Sequence, residues 1–253
     1  MQVIALYSMK GGVGKTSACV NLAYLSAMEG NVSLVWDLDP QGAATFYLGE
    51  KARIKGGAEK LLGKSGHLGN YTRSTDYPRL DLIPSDLSNR NLDLILDDLK
   101  KSKQKMASLL SELETEYQYI FLDCPPVLGV LAEHLFEVSD IILFPTIPTV
   151  LSERAYQQVH KYFKKNGYDR GRLFPFFSMV DSRKRMHRDI QINFSLDHPH
   201  TLGTPIPFAS IVEQMGARRQ PLHAYAPNTP ASDAFKRLWG EVRNIGSSSG
   251  TRM

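Results

Sequence analysis

The 253-residue chain has 42% hydrophobic and 22% charged residues, a composition typical of a water-soluble globular protein that is long enough to bury a sizeable core. Its two cysteines, Cys19 and Cys124, lie far apart in the sequence, which argues against a disulfide framework and a paired-cysteine zinc site and favours a reducing cytoplasm. The net charge of +4 is uneven, because residues from 151 onward carry 16 Lys and Arg against 8 Asp and Glu, whereas the first 150 residues carry a net charge of −4.

The basic second half of the chain has two interpretations. It is either a surface for a polyanion or a solvated basic face without a partner. The sequence lacks a signal-type apolar core at its start, and no stretch approaches 18 consecutive apolar residues. We therefore expect a protein that is neither secreted nor membrane-spanning.

Short apolar runs alternate with longer helical patterns along the chain. This alternation predicts an α/β fold with a mostly parallel twisted sheet and helices on both faces. The predicted strands cover 2–8, 32–37, 80–85, 119–123, 140–146 and 172–180. The predicted helices cover 15–29, 89–116, 152–166, 183–194 and 230–242.

The remaining segments complete the predicted domain organisation. Residues 49–79 are rich in Gly, Lys and Ser and are interpreted as an excursion with a short helix. We expect residues 1–244 to form a single domain, followed at 245–253 by a small, polar, flexible tail.

A glycine-rich segment, "KGGVGKT" at 10–16, lies between the first predicted strand and the first predicted helix. Compared with the usual pattern G-x-x-x-x-G-K-[ST], it has Met9 in place of the first glycine and an additional lysine, Lys10. The glycines allow successive backbone N–H groups to face one centre, and the helix adds its positive N-terminus. The segment therefore predicts a phosphate-binding loop rather than a glycine-rich turn that ends in Lys-Thr by chance.

The loop assigns roles to individual residues. Lys15 is predicted to contact the β- and γ-phosphates, and the Thr16 hydroxyl is predicted to bind Mg²⁺. The predicted nucleotide-binding residues of the loop are Gly11, Gly12, Val13, Gly14, Lys15, Thr16 and Ser17.

Acidic residues follow two of the other predicted strands. The run "YIFLDCPP" places Asp123 at a strand end, as in a Walker B acid, which typically holds Mg²⁺ through a water. The run "WDLDPQG" carries Asp37 and Asp39, and strand alternation puts both on one side, close to a metal and a γ-phosphate. An acid there can orient the attacking water, although without the loop the pair would serve equally well as turn or cap residues. The predicted metal site contains Thr16, Asp37, Asp39 and Asp123.

In order and spacing, "KGGVGKT", "DLDPQG" and "LDCPP" resemble the motifs of the ParA/MinD group of deviant-Walker ATPases within the SIMIBI class of P-loop NTPases. The resemblance covers residues 1–242 and is closest to the ParA branch. It implies a homodimer formed face to face around two ATP molecules with Mg²⁺. By this resemblance, Lys10 corresponds to the lysine that reaches the phosphates bound by the partner subunit, and Asp39 corresponds to the position that governs hydrolysis. Lys10, Lys15 and Asp39 are thus the predicted catalytic residues, with Asp37 and Asp123 as metal-side acids.

The rest of the sequence favours the ParA branch over its relatives. A MinD-like protein would end in a basic amphipathic membrane helix, whereas this chain ends in "IGSSSGTRM", so membrane tethering is not expected. Cys19 and Cys124 do not resemble the cluster ligands of nitrogenase-type reductases and are interpreted as small structural residues.

Basic residues in the second half are candidates for binding double-stranded DNA without sequence preference. ParA-like proteins often carry arginines just after an Ile-Pro pair in the second half of the chain. In this chain that pair is at 206–207, and Phe208 and Ile211 stand at the positions of those arginines. The candidate DNA-contacting residues are therefore Arg183, Lys184, Arg185, Arg188, Arg218 and Arg219.

The predicted function is a cytoplasmic, nucleoid-associated ATPase that dimerises on ATP and binds DNA in that state. A ParB-like or cargo-adaptor protein would stimulate hydrolysis and release, so that the cycle positions a plasmid, a chromosome or a protein complex. The alternatives are a metabolic P-loop enzyme such as a dethiobiotin-synthetase-like ligase, which has no use for a basic DNA face, and a MinD-like positioning ATPase.

Overall fold

The computed structural model describes residues 1–63, 66–98 and 102–249. Within these ranges seven strands form one sheet in the order β3-β4-β2-β5-β1-β6-β7, and all neighbours are parallel except β3 and β4. The strands are β1 Gln2–Leu6, β2 Ser33–Asp37, β3 Arg73–Ser74, β4 Leu80–Ile83, β5 Tyr119–Asp123, β6 Ile141–Thr146 and β7 Leu173–Phe177. The predicted mostly parallel α/β sheet is confirmed.

Helices cover both faces of this sheet. In chain order they are α1 Lys15–Met28, α2 Ala43–Tyr47, α3 Gly57–Leu62, α4 Leu92–Asp98, α5 Ser102–Ser111, α6 Val130–Val138, α7 Val150–Asn166, α8 Arg185–Asp197, α9 Ser210–Arg218, α10 Leu222–Tyr225 and α11 Pro230–Ser249. Short 3-10 turns are present at Leu68–Asn70, Leu87–Asn91 and Arg170–Arg172. None of the helices in the described ranges is both long and apolar enough to cross a bilayer.

Two hydrophobic cores lie on opposite faces of the sheet, and they account for the apolar runs in the sequence. Along β1, Val3 and Ala5 belong to the core packed by α4–α8, whereas Ile4 and Leu6 belong to the core packed by α1 and α9–α11. Since both faces of a parallel strand are covered, nearly every position along it is apolar. Such runs were recognisable in the sequence for this reason.

Several predicted boundaries differ from the structure, and the differences in three helices are described here. In place of one helix at 89–116, the described residues form the 3-10 turn Leu87–Asn91 followed by α4 and α5, with residues 99–101 outside the described ranges. Helix α8 begins at Arg185 rather than at 183. Helix α11 continues to Ser249, past the predicted start of a flexible tail at 245, because serine and glycine weaken a helix but only proline strongly stops one. Residues 250–253 of the predicted tail lie outside the described ranges.

Candidate active site

The loop between β1 and α1 leaves the centre of the sheet at the carboxyl ends of the parallel strands. Gly12 and Gly14 have φ angles of +69° and +89°, in the left-handed region that favours glycine. At Gly14 an added Cβ would also lie 2.8 Å from Ser178 Oγ, so the Ser178 side chain would have to move. Glycine is therefore favoured at position 14 by its backbone conformation and by the proximity of Ser178.

Helix α1 begins directly after this loop with its first N–H groups unused by the helix. No side chain caps the helix, and the Ala18 N–H is the donor to the Gly14 carbonyl, at 3.0 Å. The N–H groups of the first turn have no partner further back in a helix, and the helix dipole places positive charge there. The start of α1 is therefore suited to bind phosphate oxygens.

The two lysines of the loop occupy different positions. Lys15 is buried, and its ammonium donates a hydrogen bond to the Lys10 carbonyl at 3.2 Å. Burial lowers the pKa of Lys15, while the nearby carboxyl group of Asp123 raises it. The Lys10 ammonium instead donates to the Ser152 hydroxyl near the start of α7, at 3.1 Å. The two positive charges therefore point to different parts of the molecule.

Asp123 ends β5, in register with Leu6 of β1 and Asp37 of β2. Both of its carboxylate oxygens are buried and without a hydrogen-bond partner in the described part of the chain. Burial raises the pKa of Asp123 well above its ordinary value, as does the carboxyl group of Asp37, whereas the Thr16 hydroxyl and the Lys15 ammonium lower it. An unpaired buried carboxylate is costly, so these oxygens fit a site that is completed by a cation.

Asp37 and Asp39 are not equivalent. Asp37 ends β2 and is buried, and its Oδ2 accepts hydrogen bonds from the N–H of Thr45 at 2.8 Å and from its hydroxyl at 2.7 Å. Burial raises its pKa to about 6. Asp39 lies beyond the strand in a turn, partly exposed, where its Oδ1 accepts the Gln41 N–H at 2.9 Å. The strand alternation used to place both acids on one side therefore stops at Asp37.

A cavity of about 410 Å³ opens beside the loop and runs along residues 11–17, Asp39 and Gln41. The part of its wall that lies beyond β7 is mainly apolar. These wall residues are Met179, Ile206, Pro207, Phe208, Ala209 and Val212, joined by Phe235 of α11. A polar loop beside an apolar wall suits a ligand with phosphates at one end and a flat ring at the other.

Sequence reasoning missed several residues of this cavity. Tyr47 and Ser178 line it, and the Tyr47 hydroxyl interacts with Ser17 of the loop. Phe208, noted in the sequence only as standing in place of an arginine, is part of the apolar wall. No local pattern marks these residues, because only the folded chain brings them to the loop.

The predicted acids do not form a metal site on their own. Among the residues that the structure describes, no three His, Cys, Asp or Glu side chains are grouped so as to hold a metal ion. A cation here would therefore depend on the Thr16 hydroxyl, water and phosphate oxygens as well as on a carboxylate.

Four of the six candidate DNA-contacting residues are grouped at the start of α8. Arg183, Lys184, Arg185 and Arg188 are all exposed. Arg183 forms two hydrogen bonds of 2.9 Å with the carboxylate of Asp181 and lowers the pKa of that carboxyl group to about 2. Arg185 Nε lies 3.6 Å from Asp189 Oδ2. The positive charge of this segment is thus partly balanced by neighbouring acids.

The other two candidates, Arg218 and Arg219, end α9. The Arg218 guanidinium stacks on the Tyr225 ring at 5.4 Å. The Arg219 guanidinium stacks on Phe46 at 4.8 Å and donates to three backbone carbonyls, those of Phe46, Gly49 and Glu50. Its donors are directed to the end of α2 and the residues just after it, so Arg219 links the end of α9 to that part of the chain.

The cysteines are buried, as their interpretation as structural residues requires. Cys19 lies in α1 and Cys124 follows Asp123, and both are free thiols. Burial raises the pKa of each thiol, which keeps it protonated.

The parallel sheet, the loop between β1 and α1 and the acid at the end of the adjacent β5 place the chain among the P-loop NTPases. A family model described as an AAA domain matches residues 1–168. The sporulation initiation inhibitor protein Soj of Bacillus subtilis (strain 168) is 33% identical over 145 residues, which is 57% of this chain and 57% of Soj. The chain belongs to the ParA/MinD family of P-loop ATPases.

Two solved structures share the fold. Cobyrinic acid a,c-diamide synthase from Mycobacterium smegmatis, with bound ADP and magnesium, has a TM-score of 0.82 at 20% identity, covering 98% of this chain and 96% of that one. A plasmid partition protein from Borrelia burgdorferi B31 bound to AMPPNP has a TM-score of 0.81 at 21% identity, covering 98% and 99%. At these identities the likeness concerns the fold, which hosts both a biosynthetic enzyme and a partition protein.

Proposed function

We propose that this protein is a ParA-type ATPase that forms a homodimer around two ATP molecules and binds double-stranded DNA without sequence preference in that state. Hydrolysis, stimulated by a ParB-like or cargo-adaptor protein, would release it from the nucleoid and so position a cargo. The observation that carries the proposal is the position of Lys10. Its ammonium contacts Ser152 and lies outside the cavity lined by residues 11–17, so its charge is free to serve a phosphate that another subunit binds.

The residues of the cavity fit ATP with Mg²⁺. Backbone N–H groups of residues 11–17 and the Lys15 ammonium would hold the phosphates, and the apolar wall would hold the base. The Thr16 hydroxyl would bind the metal directly, and the unpaired Asp123 carboxylate would bind it through water. When bound, Mg²⁺ neutralises charge on the phosphates.

Asp39 is the residue we assign to the hydrolytic step. It lines the cavity and is partly exposed, whereas Asp37 is buried and already accepts two hydrogen bonds from Thr45. Asp39 would therefore orient the attacking water, and Asp37 would hold the neighbouring backbone in place. This is the role that the family resemblance implies for Asp39, whereas Asp37, predicted as a metal-side acid, would act on the backbone instead.

Nucleotide-dependent DNA binding is the central test of this proposal. We expect the protein to shift a duplex of arbitrary sequence in the presence of ATP and Mg²⁺, but not with ADP or without nucleotide. Binding should weaken steeply as salt rises, because it depends on phosphate contacts. Native gels at two salt concentrations would measure both effects, with the Arg185→Ala/Arg188→Ala variant expected to lower the salt dependence.

Binding that is the same in all three nucleotide states, or absent from all of them, would overturn the DNA-binding part of the proposal. The competing function is that of an ATP-dependent biosynthetic enzyme, of the kind represented among proteins of this fold by the diamide synthase. In that case ATP turnover would depend on a small-molecule substrate and would not respond to DNA.

Lys10→Ala tests dimerisation separately from ATP binding. Lys10 does not line the nucleotide cavity of its own subunit. We therefore expect Lys10→Ala to bind ATP with near wild-type affinity but to remain monomeric. Light scattering after size-exclusion chromatography with a slowly hydrolysed ATP analogue would measure the mass. The matched control is Ser152→Ala, which removes the hydroxyl acceptor but keeps the ammonium and should still dimerise. A dimer of Lys10→Ala equal to that of the wild type would contradict the role of Lys10.

A further inference from the structure

Three buried polar side chains form a hydrogen-bond network with the segment from Asp37 to Asp39. Thr45, Ser85 and Asn89 are at most 5% exposed, and none of them lines the nucleotide cavity. Ser85 follows β4, the neighbour of β2 in the sheet, so the sheet itself brings it to the end of β2.

Ser85 and Asn89 donate hydrogen bonds to the main-chain carbonyls of the two residues that flank Leu38, which are Asp39 and Asp37. The Ser85 hydroxyl donates to the Asp39 carbonyl at 2.6 Å. The Asn89 amide donates to the Asp37 carbonyl at 3.2 Å and to the Ser85 hydroxyl oxygen at 2.8 Å. The backbone before and after Asp39 is thus held by side chains that lie 46 and 52 residues away in the sequence from their acceptors.

The same network reaches the side chain of Asp37. The Ser85 N–H donates to the Thr45 hydroxyl oxygen at 3.0 Å, and that hydroxyl donates to Asp37 Oδ2. Every member therefore has at least two partners, and chains of buried hydrogen bonds of this kind are more rigid than isolated pairs.

The turn that carries Asp39 depends on this support. The Asp39 carbonyl accepts hydrogen bonds from the Gly42 N–H, at 2.9 Å, and from the Ser85 hydroxyl. The turn and the segment after β4 therefore share one acceptor. Within the described residues, the hydrogen-bond donor to the Asp39 carboxylate is the Gln41 N–H of the same turn. A shift of the turn would therefore carry the Asp39 carboxylate with it.

We infer that Ser85 is a positioning residue for ATP hydrolysis, supported by Asn89, and that it sets the place of Asp39 at the γ-phosphate end of the cavity. This inference rests on the proposed role of Asp39 in hydrolysis. Active-site groups must be held within about 0.5 Å of their productive position, and a displacement of about 1 Å can lower a rate about 100-fold. Ser85 touches neither the nucleotide loop nor the cavity, so its effect should fall on the rate and not on ATP binding.

Ser85→Ala is the direct test, with Ser139→Ala as its matched control. Ser139 is another buried serine, and its hydroxyl donates to a backbone carbonyl, that of Leu135, at 2.6 Å, before β6. We expect Ser85→Ala to lower single-turnover hydrolysis of saturating ATP about tenfold and to change ATP affinity less than about twofold. Ser139→Ala should change neither quantity, although both variants should lose a similar amount of thermal stability.

Asn89→Ala is the second variant, because it keeps the Ser85 hydroxyl and removes the amide that donates both to that hydroxyl and to the Asp37 carbonyl. It should slow hydrolysis less than Ser85→Ala, and the double variant should be no slower than Ser85→Ala alone, because the two residues act as one unit. A wild-type rate in both single variants would overturn the inference. So would a loss of ATP affinity equal to the loss of rate.

The Asp39→Ala background separates this inference from the proposed function. If Asp39→Ala hydrolyses ATP at the wild-type rate, the role of Asp39 and the inference both fail. If Asp39→Ala is slow, Ser85→Ala should slow it no further. An additional tenfold loss in that background would show that Ser85 acts independently of Asp39 and would overturn the inference alone.

Discussion

Replacing Lys15 with alanine should abolish ATP-driven dimerisation and lower ATP affinity about 100-fold. The Lys15 ammonium is buried at the start of α1, where it donates a hydrogen bond to the Lys10 carbonyl at 3.2 Å. A triphosphate would supply anionic oxygens in place of one neutral carbonyl, and hydrogen bonds to ionised acceptors are about twice as strong as neutral ones. Lys15→Ala has no ammonium group and therefore cannot gain hydrogen bonds to the phosphate oxygens.

Thermal unfolding with and without Mg²⁺ and ATP would measure the loss. A ligand that binds only the folded state raises the melting temperature, so the wild type should show an ATP-dependent increase that Lys15→Ala lacks. Lys184→Ala is a suitable control, because it removes an exposed lysine at the start of α8 and should retain the increase. An undiminished ATP response in Lys15→Ala would mean that the loop binds phosphate by its backbone alone.

The nucleotide loop and the strand ends were predictable from the sequence because their signals are local. Gly12, Gly14, Lys15 and Thr16 are neighbours in the chain, and the apolar runs of β1 and β5 mark where each strand stops. Parallel strands bring their carboxyl ends to one edge, so Asp123 could be placed beside the loop without any long-range information.

The supporting network and the apolar wall could not be predicted in this way. In the sequence Ser85 is an ordinary serine after a proline, and only the pairing of β4 with β2 brings it to Asp39. Phe208 lines the cavity because the chain beyond β7 folds back to the nucleotide loop. Helices α6 and α9 have nine residues each, fewer than three turns, so their periodicity was too short to separate from loop sequence.

The sequence also could not rank the basic residues of the second half of the chain as candidate DNA contacts. In the sequence, Arg188 and Arg219 are equal candidates for a DNA surface. Both are exposed in the folded chain, but Arg219 donates to three backbone carbonyls at the end of α2 and just after it, whereas Arg188 on α8 does not. The structure therefore gives the α8 group priority among candidate DNA contacts, since a guanidinium already bound to backbone has fewer donors left for phosphate.

Asp37 and Asp39 illustrate how neighbouring acids acquire different uses. Asp37 lies on the strand, where burial raises its pKa to about 6 and Thr45 supplies two donors. Asp39 lies in the turn that follows, where the chain has left the sheet and faces the cavity. The end of β2 therefore separates an acid that holds the backbone from an acid that is free to act on a ligand.

Asp39→Ala should lower ATP hydrolysis at least about 100-fold while leaving ATP binding and dimerisation intact, so that the protein stays on DNA. The variant keeps the Asp39 carbonyl that Ser85 and Gly42 bind, and it removes only the carboxylate beside the cavity. Retention can be measured as the rate of release from immobilised duplex after ATP is diluted out.

Asp39→Asn separates charge from turn geometry. The asparagine keeps an oxygen that can accept the Gln41 N–H, a contact of 2.9 Å in the wild type, so the turn should be preserved while the negative charge is lost. If the carboxylate orients the attacking water, Asp39→Asn should be nearly as slow as Asp39→Ala and just as persistent on DNA. A wild-type rate in Asp39→Asn would assign the effect of Asp39→Ala to the turn, and the water-orienting role would then have to pass to another group at the cavity, of which Gln41 is the nearest along the chain.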